Sequence, residues 1–517
     1  MPTTDISSPI PSGAWWRHMT GRHWLVFALA ALAWMFDTMD QQVFTITRSI
    51  ALTELLPQAG EAEINRIGGF VTSAFIAGWA CGGLFFGVLG DKWGRVKTMA
   101  VTILIYAGCT GLSALAPNWQ LFGVGRFLTG LGIGGEFAVG ASLIAEAMPA
   151  AARTHMLGLL QALSALGTVL AAWLLGVVVP RWGWQGLYCI GALPALLAFL
   201  VFAVLREPEK WTVARAHATE DGSHFGALSE LFTDGRWRRR TLVGFGLGLA
   251  GIIGLWGAVY WSPELIDTTI PTLSQETRPK VTAWLQAAPT ERAEVARRFS
   301  ATEAEQVARL CIKTLWPGVK LTPAEALARP LTPEQTAKLA ELVGRSVTKD
   351  EKTRIKSKAL MLQQAGSFFG VLAFTFGTVR FGRRRSFFVA LLLAWASVVT
   401  TFYFFRTPEQ IWYLYPLLGF GALAVFGGYA IYFPELFPTR LRSTGTGFCY
   451  NASRFVAISG PLLMGGLAQS LEGVATIPAF RLAAILMATA YLGGIVVLIW
   501  APETRGEPLP EEEPAAP

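Results

Sequence analysis

The chain has 517 residues, 52% of them hydrophobic and only 15% charged, with a mean hydropathy of +0.43, which is too apolar for a water-soluble protein of this length and makes the bilayer the expected solvent. The formal net charge of +8 does not point to nucleic acid, because the basic residues stand in short clusters between apolar runs, where the positive-inside rule wants them. Cys81, Cys109, Cys189 and Cys449 fall in apolar stretches and Cys311 in a polar one, so no disulfide framework is expected.

From the N-terminus, Met1–Trp24 carries Trp15, Trp16, Arg17, His18, Arg22 and His23 without a small-residue cleavage site, so the first apolar run is expected to stay in the membrane. A crossing helix needs about 20 mainly apolar residues. That ruler gives spans near 23–47, 66–90, 97–116, 120–145, 155–179 and 185–205, then 241–264, 358–379, 386–405, 410–433, 444–469 and 479–501. The fold expected is an all-α membrane protein of twelve transmembrane helices in two six-helix halves. Its parts are an N-terminal segment 1–22, a first half 23–205, a central loop 206–240, a second half 241–501 and an acidic tail 502–517. Basic loops at Lys92–Lys97, Arg236–Arg240, Arg380–Arg385 and Arg440–Arg442 alternate with loops nearly free of Lys and Arg, which puts both termini in the cytoplasm.

Residues 265–356 interrupt the second half between its first two spans, on the side opposite the basic loops, and so form an extracytoplasmic insert. Thr322-Pro-Ala-Glu325 and Thr332-Pro-Glu-Gln335 read as capping boxes with proline at the first helical position, and Thr302-Glu-Ala-Glu305 is a third candidate start. With Leu339, Leu342 and Val343 at helical spacing, a small ordered helical cap is expected.

The two halves repeat. Gly87–Lys97 after the second span matches Phe376–Arg385 after the eighth: with Gly94 set on Gly382, Arg95 meets Arg383 and Lys92 meets Arg380, while Gly78 and Gly82 fall on Gly366 and Gly370. Glu146-x-x-Pro149-x-x-x-Arg153 likewise recurs as Glu435-x-x-Pro438-x-x-x-Arg442. Parallel repeats of this kind belong to membrane proteins that rock one half against the other around a midplane site. The Gly87–Lys97 string resembles the signature loop of the major facilitator superfamily, and through its repeats the resemblance covers essentially the whole chain. It implies a cytoplasmic gate built from Gly87, Asp91, Gly94, Arg95, Glu146, Arg153, Glu435 and Arg442. In the second copy Val379 replaces the aspartate, so that half's latch is expected to be weaker or absent.

Finer strings are similar to the metabolite:proton symporters: Phe36–Asp40, Arg126–Glu136, Arg181–Tyr188 and Arg206–Trp211. The acidic pair resembles that of aromatic-acid:proton symporters, the Trp-Gly-Trp stretch that of sialate and lactate symporters, and Pro502–Gly506 that of sugar porters. Together they imply proton-driven uptake of a small metabolite. An organic anion is the first choice, with a sugar transporter, a proton-driven exporter or a non-transporting sensor as alternatives.

A charge at mid-bilayer costs about 2.5–3.5 kcal/mol on the lenient insertion scale, so charges inside spans need a reason. Asp37 and Asp40 share a face of the first helix and are the candidate proton carriers, the alternative being solvation at the helix end. Arg126 in the fourth helix is expected to pair with one of them, a link to proton transfer that the resemblance also implies. Glu136 is a second proton-site candidate or else a cytoplasmic-side bridge. Arg454, about 15 Å into the eleventh helix, with Asn451 one turn before it, is the candidate substrate fork for a carboxylate. Alternatively Arg454 pairs with an acid of the first half. Gln161, Gln363, Gln364, Trp256 and Tyr260 are further cavity candidates. No metal-spaced cluster, phosphate loop or nucleophile elbow occurs, so no enzyme activity and no cofactor beyond a proton gradient are expected. The expected partners are the lipid bilayer of an inner membrane, a small-molecule substrate and protons; nucleic acid is not among them, and the chain is expected to be a monomer.

Overall fold

The computed structural model describes residues 14–221, 224–316, 319, 321–458, 460–471 and 477–510. Of the expected terminal segments, 1–13 and 511–517 lie outside the described residues. The helices are α1 (Gly21–Leu55), α2 (Glu61–Trp93), α3 (Arg95–Ser113), α4 (Trp119–Ala147), α5 (Ala150–Gly191), α6 (Pro194–Val204), α7 (Glu209–Asp221), α8 (Glu230–Thr233), α9 (Gly235–Gly257), α10 (Ser262–Thr269), α11 (Thr277–Gln286) and α12 (Arg292–Ala296). They continue as α13 (Ala301–Leu315), α14 (Pro323–Ala328), α15 (Pro333–Gly344), α16 (Lys349–Phe381), α17 (Arg383–Phe404), α18 (Ile411–Glu435), α19 (Arg442–Asn451), α20 (Arg454–Ala457), α21 (Gly460–Ser470), α22 (Ala479–Ala488) and α23 (Ala490–Val497).

Among the described residues nine helical rods are long and apolar enough to cross a membrane. The other three expected spans are present in forms that such a test passes over. Helix α1 is 35 residues long, but Asp37, Asp40 and Gln41 dilute its hydropathy. The rod Ala150–Val204 counts once, yet Gly183 at φ 65° and Pro180 redirect it between the fifth and sixth spans. The eleventh span is divided into α19, α20 and α21. Ala452 and Ser453 keep right-handed helical backbone angles, while Phe455 N and Val456 N bond three residues back, to Ala452 O and Ser453 O. The helix therefore tightens locally into 3₁₀ form beside Arg454, where a hinge is cheapest.

Glycines set the closest helix contacts at the positions the repeat marks. A Cβ on Gly78 or Gly82 of α2 would lie 2.0 or 1.9 Å from the carbonyl oxygens of Phe127 and Leu131 in α4. In the second half Gly366 and Gly370 of α16 meet Pro416 O and Phe420 O of α18 at 2.0 and 2.2 Å in the same test. Both pairs need glycine for backbone-to-backbone packing, which in lipid replaces the missing hydrophobic drive.

Residues 14–260, 363–400 and 416–510 belong to one compact unit, and residues 261–362 with 401–415 form another. The second unit contains the insert and is ordered around its own core, with Val281, Trp284, Val307, Cys311, Ala326, Leu339 and Val343 buried. Leu342 is half-buried. Thr322 and Thr332 do head α14 and α15 through reciprocal capping boxes with Glu325 and Gln335. The third start is corrected: Ser300, not Thr302, caps α13, with Glu303 as the returning side chain. The Ser300 carbonyl accepts from Ala304 N at 2.8 Å, which makes it the first residue whose carbonyl enters the helix ladder. The Cys311 thiol is pushed up to about 12 by burial, so it packs as an inert apolar group.

Candidate functional site

Twelve-helix folds of this kind concentrate function where the halves meet, and there the first unit holds two clusters of buried charge. The first lies at the end that carries the Gly87–Lys97 loop. Arg95, fully buried, holds Glu146 by two contacts of 3.0 and 2.8 Å, Asp91 at 2.8 Å, and the carbonyls of Gly90 and Thr439. Arg442 reaches Glu146 from the other half at 2.8 Å and donates to Thr439 Oγ1 and Pro434 O. Asp91 accepts from Ser443 N at 3.1 Å and Thr444 N at 2.8 Å. It thus caps the N-terminus of α19, a helix of the opposite half. The expected pairing of Asp91 with Arg95 is present, and the aspartate does a second job across the seam.

The second copy retains more than its missing aspartate suggested. Arg383 still grips Glu435 by contacts of 3.0 and 2.7 Å and crosses to Thr154 of the first half at 2.9 Å. With Val379 both the cross-half cap and the aspartate's ion pair with the loop arginine are missing, so of the two outcomes expected, a weaker or an absent latch, the geometry is that of a weaker one. The asymmetry falls on the arginines instead: Arg442 closes on Glu146, whereas Arg153 is buried with its Nε lacking a partner. Two residues were not anticipated. Glu207 accepts from the amides of Arg95, Val96 and Lys97 at 2.6, 3.1 and 3.2 Å, and Glu503 accepts from those of Arg383 and Arg384 at 2.8 and 3.1 Å. Each caps a helix from elsewhere in the chain, α3 and α17, beside Gly94 at φ 115° and Gly382 at φ 90°. The sequence signal was a glutamate just beyond the last span of each half.

The second cluster lies on α1, α2, α4 and α19–α20. Asp37 and Asp40 are buried, at 1% and 0% exposure, and among the described residues Asp37 Oδ1 and both Asp40 oxygens lack a hydrogen-bond partner. Arg126 chooses Asp40 over Asp37, but loosely, at 3.9 Å. Its better contacts are Ser113 Oγ at 2.8 Å and the Tyr188 ring at 4.8 Å, and among the described residues its Nε and Nη1 make no hydrogen bond. Glu136 accepts from Thr102 Oγ1 at 2.9 Å and has no cationic partner among the described residues.

Arg454 is fully desolvated. Its guanidinium stacks on Trp79 of the first half at 4.1 Å and on Tyr450 at 4.3 Å, and donates to Tyr450 O and Asn451 Oδ1. No acid lies within ion-pair distance among the described residues, and Nε has no partner. Asn451 does not present a free donor: its amide nitrogen bonds Gly134 O and Gly447 O at 3.3 and 3.1 Å, so it locks the seam and orients Arg454. Tyr450 stacks on Phe137 of α4 at 3.7 Å and 20°, and Phe137 meets Trp34. Trp79, Tyr450 and Phe137 were not singled out from sequence, since aromatic residues are frequent throughout membrane spans. Of the remaining candidates, Gln161 Oε1 and Trp256 Nε1 are buried without a hydrogen-bond partner among the described residues, the Trp256 and Tyr260 rings lie 5.0 Å apart at a tilt of 32°, Gln363 is buried and Gln364 half-buried. Buried polar atoms are almost always paired. Among the described residues, unpaired buried atoms of Trp34, Asp37, Asp40, Trp79, Arg126 and Arg454 lie together in this second cluster.

Comparison with known proteins agrees with this architecture. The chain is 25% identical over 499 residues to the cis,cis-muconate transport protein of Acinetobacter baylyi, covering 95% of this chain and 98% of that one. It is 30% identical over 198 residues to the niacin transporter NiaP of the same organism, 38% of this chain and 44% of the relative. Among solved structures, the proton:xylose symporter XylE bound to 6-bromo-6-deoxy-D-glucose superposes with a TM-score of 0.61 at 16% identity, over 94% of this chain and 98% of that one. The sequence profile of the Major Facilitator Superfamily matches residues 24–288 and 357–516, leaving unmatched a stretch that lies wholly inside the insert. With that match over both halves, the repeated gate and the shared fold, the chain is a multi-pass membrane transporter, not an enzyme, and belongs to the major facilitator superfamily.

Proposed function

We propose that the protein is a proton-coupled symporter of a small organic anion, an aromatic, lactate-like or sialate-like carboxylate, working by alternating access. The observation that carries this reading is the unpaired polarity of one buried cluster: among the described residues Asp37 Oδ1 and both Asp40 oxygens on α1 accept no hydrogen bond, and the Arg454 guanidinium at the start of α20 has no acid within ion-pair distance. A carboxylate guest supplies the missing negative partner for Arg454, whose planar fork suits two-point binding. Trp79 and Tyr450, stacked on the Arg454 guanidinium, hold its fork in place for the guest. Asp37 and Asp40 supply groups that can take up a proton when opposite charge does not hold them ionised. Muconate and niacin, named for two of the relatives, are both carboxylates at neutral pH, which supports the choice of class.

On this reading both termini face the cytoplasm of an inner membrane, the insert faces outward, a monomer suffices, and no cofactor takes part. On the same reading the end that carries the gate cluster is the cytoplasmic one. The decisive experiment is proton uptake by liposomes holding the purified protein, challenged in turn with lactate, benzoate, a sialic acid and a hexose. A pH change dependent on one of the carboxylates is the expected result. A response to the hexose alone overturns the anion assignment, and transport without any pH change overturns the coupling.

A further inference from the structure

Away from both buried clusters, the first turn of α17 and the chain just after α23 border an open groove of about 1080 Å³. Arg384 and Arg385 line it from α17 and Arg505 from the segment beyond the last span, all three exposed, while Phe388, Ile495 and Ile499 continue it as an apolar wall. None of the three guanidinium groups has an acidic partner among the described residues. The one carboxylate in the groove, Glu503, already accepts from the backbone amides of Arg383, Arg384 and Arg505. Phe388, Val389, Val496 and Ile499 are exposed on helices that cross the membrane, so acyl chains are their natural cover.

We propose that this groove is a binding site for an anionic phospholipid, whose phosphate sits among Arg384, Arg385 and Arg505 and whose acyl chains lie along Phe388, Ile495 and Ile499. Positive charge is continuous there with a lipid-facing apolar surface. That combination fits a lipid phosphate better than a soluble one, which has no use for the apolar wall. Cardiolipin, with two phosphates, matches three arginines most closely, and phosphatidylglycerol is the simpler member of the class. The site is independent of which solute the protein carries.

The test is native mass spectrometry of the full chain in mild detergent, titrated with cardiolipin, phosphatidylglycerol and phosphatidylcholine. The wild type is expected to hold cardiolipin at least about tenfold more tightly than phosphatidylcholine, as a few interfacial arginines permit. Arg384→Ala, Arg385→Ala and Arg505→Ala combined should bring that preference to within about twofold, and Arg505→Ala alone, outside any helix, should lower it by about threefold to fivefold. The equal charge change Arg236→Ala, Arg238→Ala, Arg239→Ala in another basic loop should leave it intact. Retention of the preference in the first triple variant overturns the site, and so does equal loss in the second, which would reduce the effect to bulk charge. Full displacement of the lipid by millimolar inorganic phosphate would make it a site for free anions and overturn the lipid assignment.

Discussion

Asp37 and Arg454 differ in what their burial asks of a partner. Asp37 can become neutral by taking up a proton, whereas a guanidinium stays charged at any accessible pH. Asp37→Asn is therefore expected to abolish accumulation driven by a proton gradient while leaving counterflow exchange of the substrate at a substantial fraction of the wild-type rate. Accumulation and counterflow measured on the same liposomes check this, and retained accumulation removes Asp37 from the proton path. Arg454→Lys keeps the charge but loses the planar stacking between Trp79 and Tyr450. Substrate affinity should fall about 10- to 100-fold, in keeping with one or two charge-assisted hydrogen bonds, read by titration calorimetry or substrate-induced stabilisation. The candidates Asp37, Asp40, Arg126, Glu136 and Arg454 were legible because a charge inside an apolar run is conspicuous. Trp79 and Tyr450 were not, because an aromatic residue inside one is ordinary.

Among the elements, the helix ends carry most of the specific polar chemistry. Glu207 and Glu503 cap α3 and α17 from a distance, and Asp91 caps α19. Glu146 sits between Arg95 and Arg442, all at 0% side-chain exposure. Removing one member of such a buried set strands the others, at a cost of about 3–5 kcal/mol. Glu146→Gln should thus lower the melting temperature of the purified protein by several degrees and raise the reactivity of a cysteine introduced at Thr444 toward a water-soluble thiol reagent. In the insert, Glu303 is held down to about 2 by its hydrogen bond from Lys280 and by its cap on Ser300. Because the folded value lies below the ordinary carboxylate value, this stabilisation is fully present above about pH 4.5 and is lost as pH falls toward 2. Hydrogen exchange of peptides covering Ala301–Leu315 should show protection declining through that window, and Glu303→Gln should show reduced protection at neutral pH. The capping boxes at Thr322 and Thr332 were readable from four-residue spacing. The Ser300 box was missed by two residues because Thr302-x-x-Glu305 obeys the same pattern, and only packing of α13 chooses between them.

Across the whole transporter, the halves touch through α2 and α19 at a seam with no spare volume. A Cβ on Gly83 would lie 2.0 Å from the Asn451 side chain, and one on Gly447 would lie 2.4 Å from Gly83 O. Gly83→Leu is therefore incompatible with the conformation seen and should shift the population to one opened at this end. Distances between spin labels on the loops that hold Lys97 and Arg384 should lengthen by several ångströms, with transport falling to background. A folded, active Gly83→Leu variant with unchanged distances would mean that the seam is not part of the cycle.

The sequence by itself determined the number of spans, their repeat, the presence of an ordered insert and the rare charges that lipid forbids without cause. Each is written in local composition or in a spacing repeated along the chain, and the bilayer penalises exceptions strongly enough to make them visible. Only the tertiary structure decided which charges meet. Arg126 faces Asp40 rather than Asp37, Asn451 locks the seam rather than offering a donor, Val379 weakens the second latch without abolishing it, and Arg454 lies between two rings with no acid within ion-pair distance among the described residues. These outcomes depend on the rotation and depth of separate helices relative to one another. No single helix encodes that: it is set by backbone contact at glycines such as Gly78, Gly82, Gly366 and Gly370, far in sequence from the groups they align.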